Sequence, residues 1–351
     1  MADFSWMAQV ETLSPAALTV KAQMLSPNDN GRLLWDIFFP REDVDSIRLS
    51  EINTLDDRPA ADRREWGARG RLIPKLTPAQ RKLVMVPIEA YDKIDELEMQ
   101  YLMEGTFGVN QGIIEQVIGV RLPDRTDRLA MSDYRRLELD SMSAWTTGTI
   151  VQRNPQNAAQ TFTVSFGFDA ARLATASPTW AAATSAYDAF ITWFEAGVEA
   201  CGPGEGAMMR LATYKEILAD APDLPGGVKM SRAQLTDRIQ QDLGGPFQFF
   251  INENSVDVFT DGGTAVTRTK VWPAEQVAFI PAGRAVGKAA FAPVVRAMEL
   301  SAQVPQAKID VRGVTIFHHT ENAARELEVE AQMNAMPVPD ESKVWVTDAG
   351  V

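Results

Sequence analysis

Residues 326–351, ELEVEAQMNAMPVPDESKVWVTDAGV, constrain the fold of this chain more than any other segment. From Glu328 the apolar residues Val329, Ala331 and Met333 alternate with polar ones, and Val344 and Val346 resume the pattern beyond Pro337, Pro339 and Asp340. That periodicity predicts two half-buried strands joined by a proline-rich turn. A chain that pins its closing residues into a sheet has to return to an earlier part of the fold.

The rest of the chain alternates helical and strand patterns, which makes it an α+β protein. Ser14 and Pro15 are a cap and first-turn pair opening a helix over AALTVKAQML. LLWDIFFP packs Trp35, Phe38 and Phe39 immediately before Pro40, a cluster apolar enough to require a surface that buries it. SIRLSEI and LVMVPIEAY read as strands, the second limited to an edge or strand end by Pro87. Between them DDRPAADRREWGARGRLIPKLTPAQRK shows neither period and predicts a long arm reaching away from the body. From Asp92 to Thr147 the pattern is mainly helical, with breaks near Gly105 and Gly119. Beyond Pro123 an apolar stripe of Met131, Tyr134, Met142 and Trp145 predicts a helix of about 35 Å over 123–145. TIVQ and TFTVSFGFD flank an Asn-Pro turn as a hairpin, and 178–200 reads as a helix ended by GPGEG. MMRLATY predicts a buried strand. SRAQLTDRIQQDLGG predicts a helix capped by Ser231 and stopped by Gly244, and PFQFFI, SVDVFTD, AVTRTKVW and QVAFIP predict short strands with an Asp-Gly-Gly turn among them.

Charge and chemistry narrow the functional classes. The formal net charge of −13 opposes affinity for nucleic acid or anionic membrane over the chain as a whole. No signal peptide and no membrane span is read in the sequence. Cys201 is the single cysteine, which excludes an intrachain disulfide and a multi-cysteine metal site. His318 and His319 are adjacent, and on a strand they would face opposite sides, a poor arrangement for one shared metal. GPGEG precedes a strand and lacks the Lys-Ser/Thr of a phosphate loop, so it reads as a helix end and turn. Carboxylates are abundant but nothing places a pair of them. The expectation is a protein without catalytic residues, cofactor or metal.

Basic residues gather instead in the long arm: Arg58, Arg63, Arg64, Arg69, Arg71, Lys75, Arg81 and Lys82, with Trp66 among them. The remainder is correspondingly acidic. A basic arm on an acidic body suits a contact with a second copy of the chain, through exposed pairs contributing about 0.2 to 1 kcal/mol each. A solvated loop and a nucleic-acid finger are the other readings, the finger opposed by the acidic body and the single aromatic.

The order of these segments resembles that of the lambda-type major capsid proteins of tailed bacteriophages. TLSPAALTVKAQ resembles their N-terminal helix, and FFPREDVDSIRLSEI their Phe-Phe entry and the first strand of the extended loop. RRLELDSMSAWTTGTI resembles the end of the spine helix and TFTVSFGFD the strand after it, while QVAFIPAG precedes the closing strands. The resemblance implies the tailed-phage and herpesvirus shell fold: an N-terminal arm (1–45), an extended two-stranded loop (46–86), a peripheral domain with a spine helix (87–170), an axial domain (171–314), and return strands completing the peripheral domain (315–351). It implies self-assembly into pentamers and hexamers of an icosahedral head enclosing double-stranded DNA. Scaffold, portal and decoration proteins would be partners in the virion and, during assembly, in the host cytoplasm. Trp35, Phe38, Phe39, Arg58, Arg63, Arg64, Trp66, Arg69, Arg71 and Lys75 are the expected inter-subunit contacts. A nanocompartment shell with an enzyme cargo and a carboxylate-dependent hydrolase are the alternatives.

Overall fold

The computed structural model describes residues 15–24, 33–53, 79–85, 87–94, 111–154, 157–176, 179–183, 185–224, 227, 229–260, 265–304, 309–321 and 326–350. Two helices open it, α1 (Pro15–Met24) and α2 (Trp35–Phe38), followed by strands β1 (Arg41–Asp43), β2 (Arg48–Asn53), β3 (Ala79–Val84) and β4 (Ile88–Ile94). A long helix α3 (Gln111–Thr147) leads to β5 (Thr149–Asn154), β6 (Asn157–Ser165) and β7 (Leu173–Thr175). Next come α4 (Ala186–Cys201), β8 (Gly204–Met209), α5 (Leu211–Asp220) and α6 (Arg232–Leu243). β9 (Gln248–Ile251), β10 (Ser255–Thr260), β11 (Ala265–Lys270), β12 (Gln276–Pro281) and β13 (Gly287–Ala292) precede α7 (Val295–Gln303). β14 (Thr315–Glu321), β15 (Glu326–Pro339) and β16 (Val346–Asp348) close the chain.

β15 is the organising strand. Its first half is flanked on both sides, by β14 along Glu326–Gln332 and by β4 along Leu327–Met333, and its second half pairs with β13. β1 then adds parallel to β13. The prolines expected in a turn continue this strand instead. The Asp340 N–H donates to the Val286 carbonyl at 2.9 Å. Strand alternation therefore turns the amides of Val338 and Met336 toward β13 and puts Pro337 and Pro339 where no ladder donor is required on that side. The turn falls later, where Asp340 accepts from the Ser342 N–H at 3.1 Å and starts a 3-10 turn over Glu341–Lys343.

The two closing strands also part company. β16 pairs antiparallel with β12 and parallel with β7, in a second sheet of order β7-β16-β12-β8-β9. The sheets thus divide the chain differently from the boundaries read in the sequence: β13, inside 171–314, belongs with β15, and β16, inside 315–351, belongs with β12. One apolar core joins both sheets, with Val329, Ala331 and Met333 of β15, Leu137, Met142 and Trp145 of α3, and Met208, Ala278, Ile280 and Val346 of the second sheet. Helices α4 to α6 cover the second sheet through Phe190, Phe194, Tyr214, Ile217, Leu235 and Ile239.

Local signals account for most element ends. α6 carries a capping box, Ser231 with Gln234, and stops at Gly244 in the left-handed region (φ 68°), as its sequence predicts. α3 departs from expectation, running through Gly119 and Pro123 from Gln111. The proline forfeits one main-chain hydrogen bond, a penalty of roughly 3 kcal/mol. A helix that buries Leu129, Leu137, Met142 and Trp145 in the core can absorb that loss. The predicted strand MMRLATY ends at Met209, because Leu211, Tyr214 and Ile217 follow helical spacing and Glu253 receives the first helical N–H, that of Leu211, at 3.0 Å.

Gly287 fits because its strand lies unusually close to β15: a Cβ there would meet the Val338 carbonyl oxygen at 2.4 Å and the Pro339 Cα at 2.6 Å. Gly287→Ala is expected to cost about 1–3 kcal/mol in urea unfolding, with the main chain on both sides forced to move.

Candidate functional site: the root of the β2–β3 ribbon

A two-stranded ribbon is marginal in water, since each strand leaves a row of amide and carbonyl groups open along its outer edge. β2 and β3 form such a ribbon, in register from Arg48↔Val84 to Asn53↔Ala79, with no third strand among the described residues. Its attachment to the body is elaborate. The Met85 N–H donates to the Ile47 carbonyl at 2.9 Å, and the Met85 side chain is buried among Ile150, Phe166, Ala290, Ala292, Met336 and Val338. Just before the ribbon, the Val44 N–H donates to the Phe291 carbonyl at 2.8 Å. Arg312 holds the same corner, donating to the Val44 carbonyl at 3.2 Å and to Asp45 at 2.6 Å. Arg41 lies over the Phe291 ring and is shared between Asp43 and Asp310.

The aromatic cluster belongs to this root. Trp35, Phe38 and Phe39 are 3 %, 0 % and 0 % exposed, so what they bury against is the chain's own core. Trp35 stacks on Tyr134 at 6.2 Å, and Phe38 and Phe39 meet Trp145 at 5.0 and 6.5 Å. Side chains this enclosed offer no surface to another copy, which corrects the expectation that they form inter-subunit contacts. The main chain beside them seats the base of the ribbon instead, through the Val286 N–H donating to the Phe38 carbonyl (2.8 Å) and the Ala289 N–H to that of Pro40 (3.0 Å). Arg58, Arg63, Arg64, Trp66, Arg69, Arg71 and Lys75 lie outside the described residues.

Sequence reading missed the carboxylates that hold this root to α3. Glu138, fully buried, accepts the N–H groups of Leu34 and Trp35 at 3.0 and 2.7 Å, satisfying donors at the start of α2. Burial pushes its pKa up to about 7, against the two N–H groups that hold it down, and the Asp36 charge adds to the rise. Asp140 is raised to about 6 by burial, opposed by its 2.8 Å ion pair with Arg136. Asp133 is 1 % exposed and neither oxygen finds a hydrogen-bond partner. Burial, then the charges of Glu89 and Glu330, lifts its pKa well above the usual range. The available signal was positional: Glu138 falls within the apolar stripe of Met131, Tyr134, Met142 and Trp145.

Among the described residues no group of His, Cys, Asp and Glu could hold a metal ion, and no helix is long and apolar enough to cross a membrane. His318 and His319 are consecutive residues of β14. Cys201 ends α4, its Sγ accepting from Arg172 at 3.1 Å, and burial pushes the thiol pKa up, away from a reactive thiolate.

No protein-family model and no curated protein matches the chain. Solved structures do. A prophage protein of E. coli CFT073, assigned as its capsid protein, matches over 94 % of this chain and 96 % of its own with TM-score 0.56 at 11 % identity. The chain has a phage capsid-protein fold. A phage-related protein from Bordetella bronchiseptica RB50 shares this capsid fold over 95 % and 96 % of the two chains, with TM-score 0.50 and 12 % identity. The capsid of Myoviridae phage XM1 gives TM-score 0.47 at 15 % identity, over 89 % and 88 %. Identity this low speaks to the fold alone.

Two measurements test the root. Phe38→Ala is expected to lower unfolding free energy by about 3–5 kcal/mol, a loss visible in the unassembled chain. For Glu138, the native state keeps its proton up to about pH 7 whereas the unfolded chain releases it above about 4.5. Stability contributed by this group is therefore full below pH 4.5 and lost as pH rises through 7. Urea unfolding across that window should show the decline flattened in Glu138→Gln. Glu138→Leu should instead cost roughly 1–3 kcal/mol per orphaned amide at every pH.

Proposed function

We propose that the chain is the shell-forming subunit of a phage-type capsid, assembling with itself into pentamers and hexamers of an icosahedral head around double-stranded DNA. The observation that carries this reading is the fold likeness to the prophage protein assigned as a capsid subunit, which takes in nearly the whole length of both chains. The β2–β3 ribbon supports it physically. A ribbon too thin to be stable alone needs a surface, and a second copy held by repetition supplies one without any single strong contact. Heterologous contacts of that kind close into rings when the rotation allows.

In this reading residues 1–45 are the arm, 46–86 the extended loop, 87–170 with 315–351 the peripheral region and 171–314 the axial region, except that β13 joins the peripheral sheet and β16 the axial one. The loop cations Arg58, Arg63, Arg64, Arg69, Arg71 and Lys75, with Trp66, face acidic groups of an adjoining copy. Scaffold, portal and decoration proteins are the further partners, the virion is the destination, and no catalytic step is required.

Negative-stain electron microscopy of the purified, concentrated protein, with and without a crowding agent, tests the reading. Shells, tubes or five- and six-membered rings are expected. A uniform monomer under all conditions, with any scaffold supplied, would overturn it. Arg63→Glu combined with Arg64→Glu should abolish or misdirect assembly while leaving thermal unfolding of the subunit within about 0.5 kcal/mol of wild type.

A further inference from the structure

Helix α3 distributes its charges against the sign of the whole chain. Asp133, Glu138 and Asp140 are buried, while Arg128 and Arg135 are exposed. Seven residues apart, the two arginines share one face about 10.5 Å apart along the axis. Of the acids on that side, Asp127 is paired with Lys21 at 2.9 Å, which leaves Asp124 as the exposed carboxylate among the described residues of α3. Arg125 is held by Asp92 at 2.9 Å and Arg136 by Asp140 at 2.8 Å. The outer face of a helix in a chain of net charge −13 is thus locally positive.

Arg128 and Arg135 are also set apart from their own kind. Every other arginine whose side chain is described engages a carboxylate, a carbonyl, a hydroxyl or an aromatic ring. These two engage none. With acids in excess over bases, two guanidinium groups left without an internal acceptor on one face are available to an external anion.

We propose that this face of α3 contacts the phosphate backbone of the duplex that the shell encloses, without reading its sequence. The inference rests on the shell reading above. A duplex carries one negative charge per about 1.7 Å of its axis, so two cations at fixed spacing find phosphates in any rotational setting, and repetition over many subunits multiplies a weak contact. A neighbouring copy fits less well: no large apolar side chain among the described residues of α3 is exposed beside the arginines, and stable protein interfaces are built around an apolar centre. The −13 balance keeps the remaining surface from adhering, so the contact holds the duplex loosely.

The test is titration of a fluorescein-labelled 30-base-pair duplex with the unassembled full-length protein from about 50 to 200 mM salt. The comparison is the Arg128→Glu, Arg135→Glu double variant, with assembly of both followed by electron microscopy. Wild type is expected to bind with an affinity falling as salt rises. The variant should bind more weakly and lose about 1.8 from the log–log salt slope, 0.9 per released phosphate contact, while assembling as wild type does. No duplex binding by wild type at low salt, or an unchanged slope in the variant, overturns the proposal. Lost assembly with unchanged duplex binding overturns it in favour of a neighbouring copy on this face. If wild type binds the duplex through these arginines yet never forms shells or rings, the shell reading fails and the contact stands.

Discussion

The pairing of β15 is the constraint on which the rest of the molecule depends. Its first half is hydrogen-bonded on both edges and its second half receives β13, so one strand places β4, β13 and β14. Val329, Ala331 and Met333 project from it into the core that α3 covers. Six residues beyond its end, β16 performs the equivalent task in the second sheet, between β7 and β12. The two sheets share a core because one short segment is sewn into both.

Around that seam the molecule spends stability in order to position a ribbon. α3 takes three carboxylates into its buried side, one without any partner, and each raises the cost of folding near neutral pH. Glu138 explains part of the arrangement: it satisfies the first amides of α2, which aims Phe38, Phe39 and Pro40 into the joint where β1 begins. Rigidity at this joint matters because the ribbon has no third strand to brace it. In the proposed shell role, presenting the same arm to a neighbour in every copy requires a fixed hinge more than a fixed arm.

Much of this was legible in the sequence, and the failures have physical causes. Capping residues are local, so Ser231, Gly244 and the hairpin after α3 were readable from a few residues each. The alternation over Val329, Ala331 and Met333 identified β15, whereas the prolines at 337 and 339 misled, because a proline stops a strand only where its missing donor faces a partner. Whether two strands share a sheet is decided by non-neighbouring partners such as β4, β7, β12 and β13, and the separation of β15 from β16 was therefore not readable. The aromatic cluster was recognised as needing burial, but its partners Tyr134, Trp145 and Phe291 are distant in sequence, so an internal core and an intersubunit one looked alike. Glu138 was hidden for the same reason: its significance comes from two amides more than a hundred residues upstream.

The place of β15 and β16 near the end of the sequence has a temporal consequence. A chain emerging from the ribosome can pair β1 with β13 and β8 with β12 early, but β4, β14 and β7 wait for β15 and β16. Neither sheet is complete until residues 326–348 have left the exit tunnel, so the contacts that join the sheets form late. A nascent or prematurely terminated copy lacks the seam, and with it the seat of the ribbon. In the proposed shell role, translation to that point would fit a copy to join others, and fragments would have no rigid arm to offer.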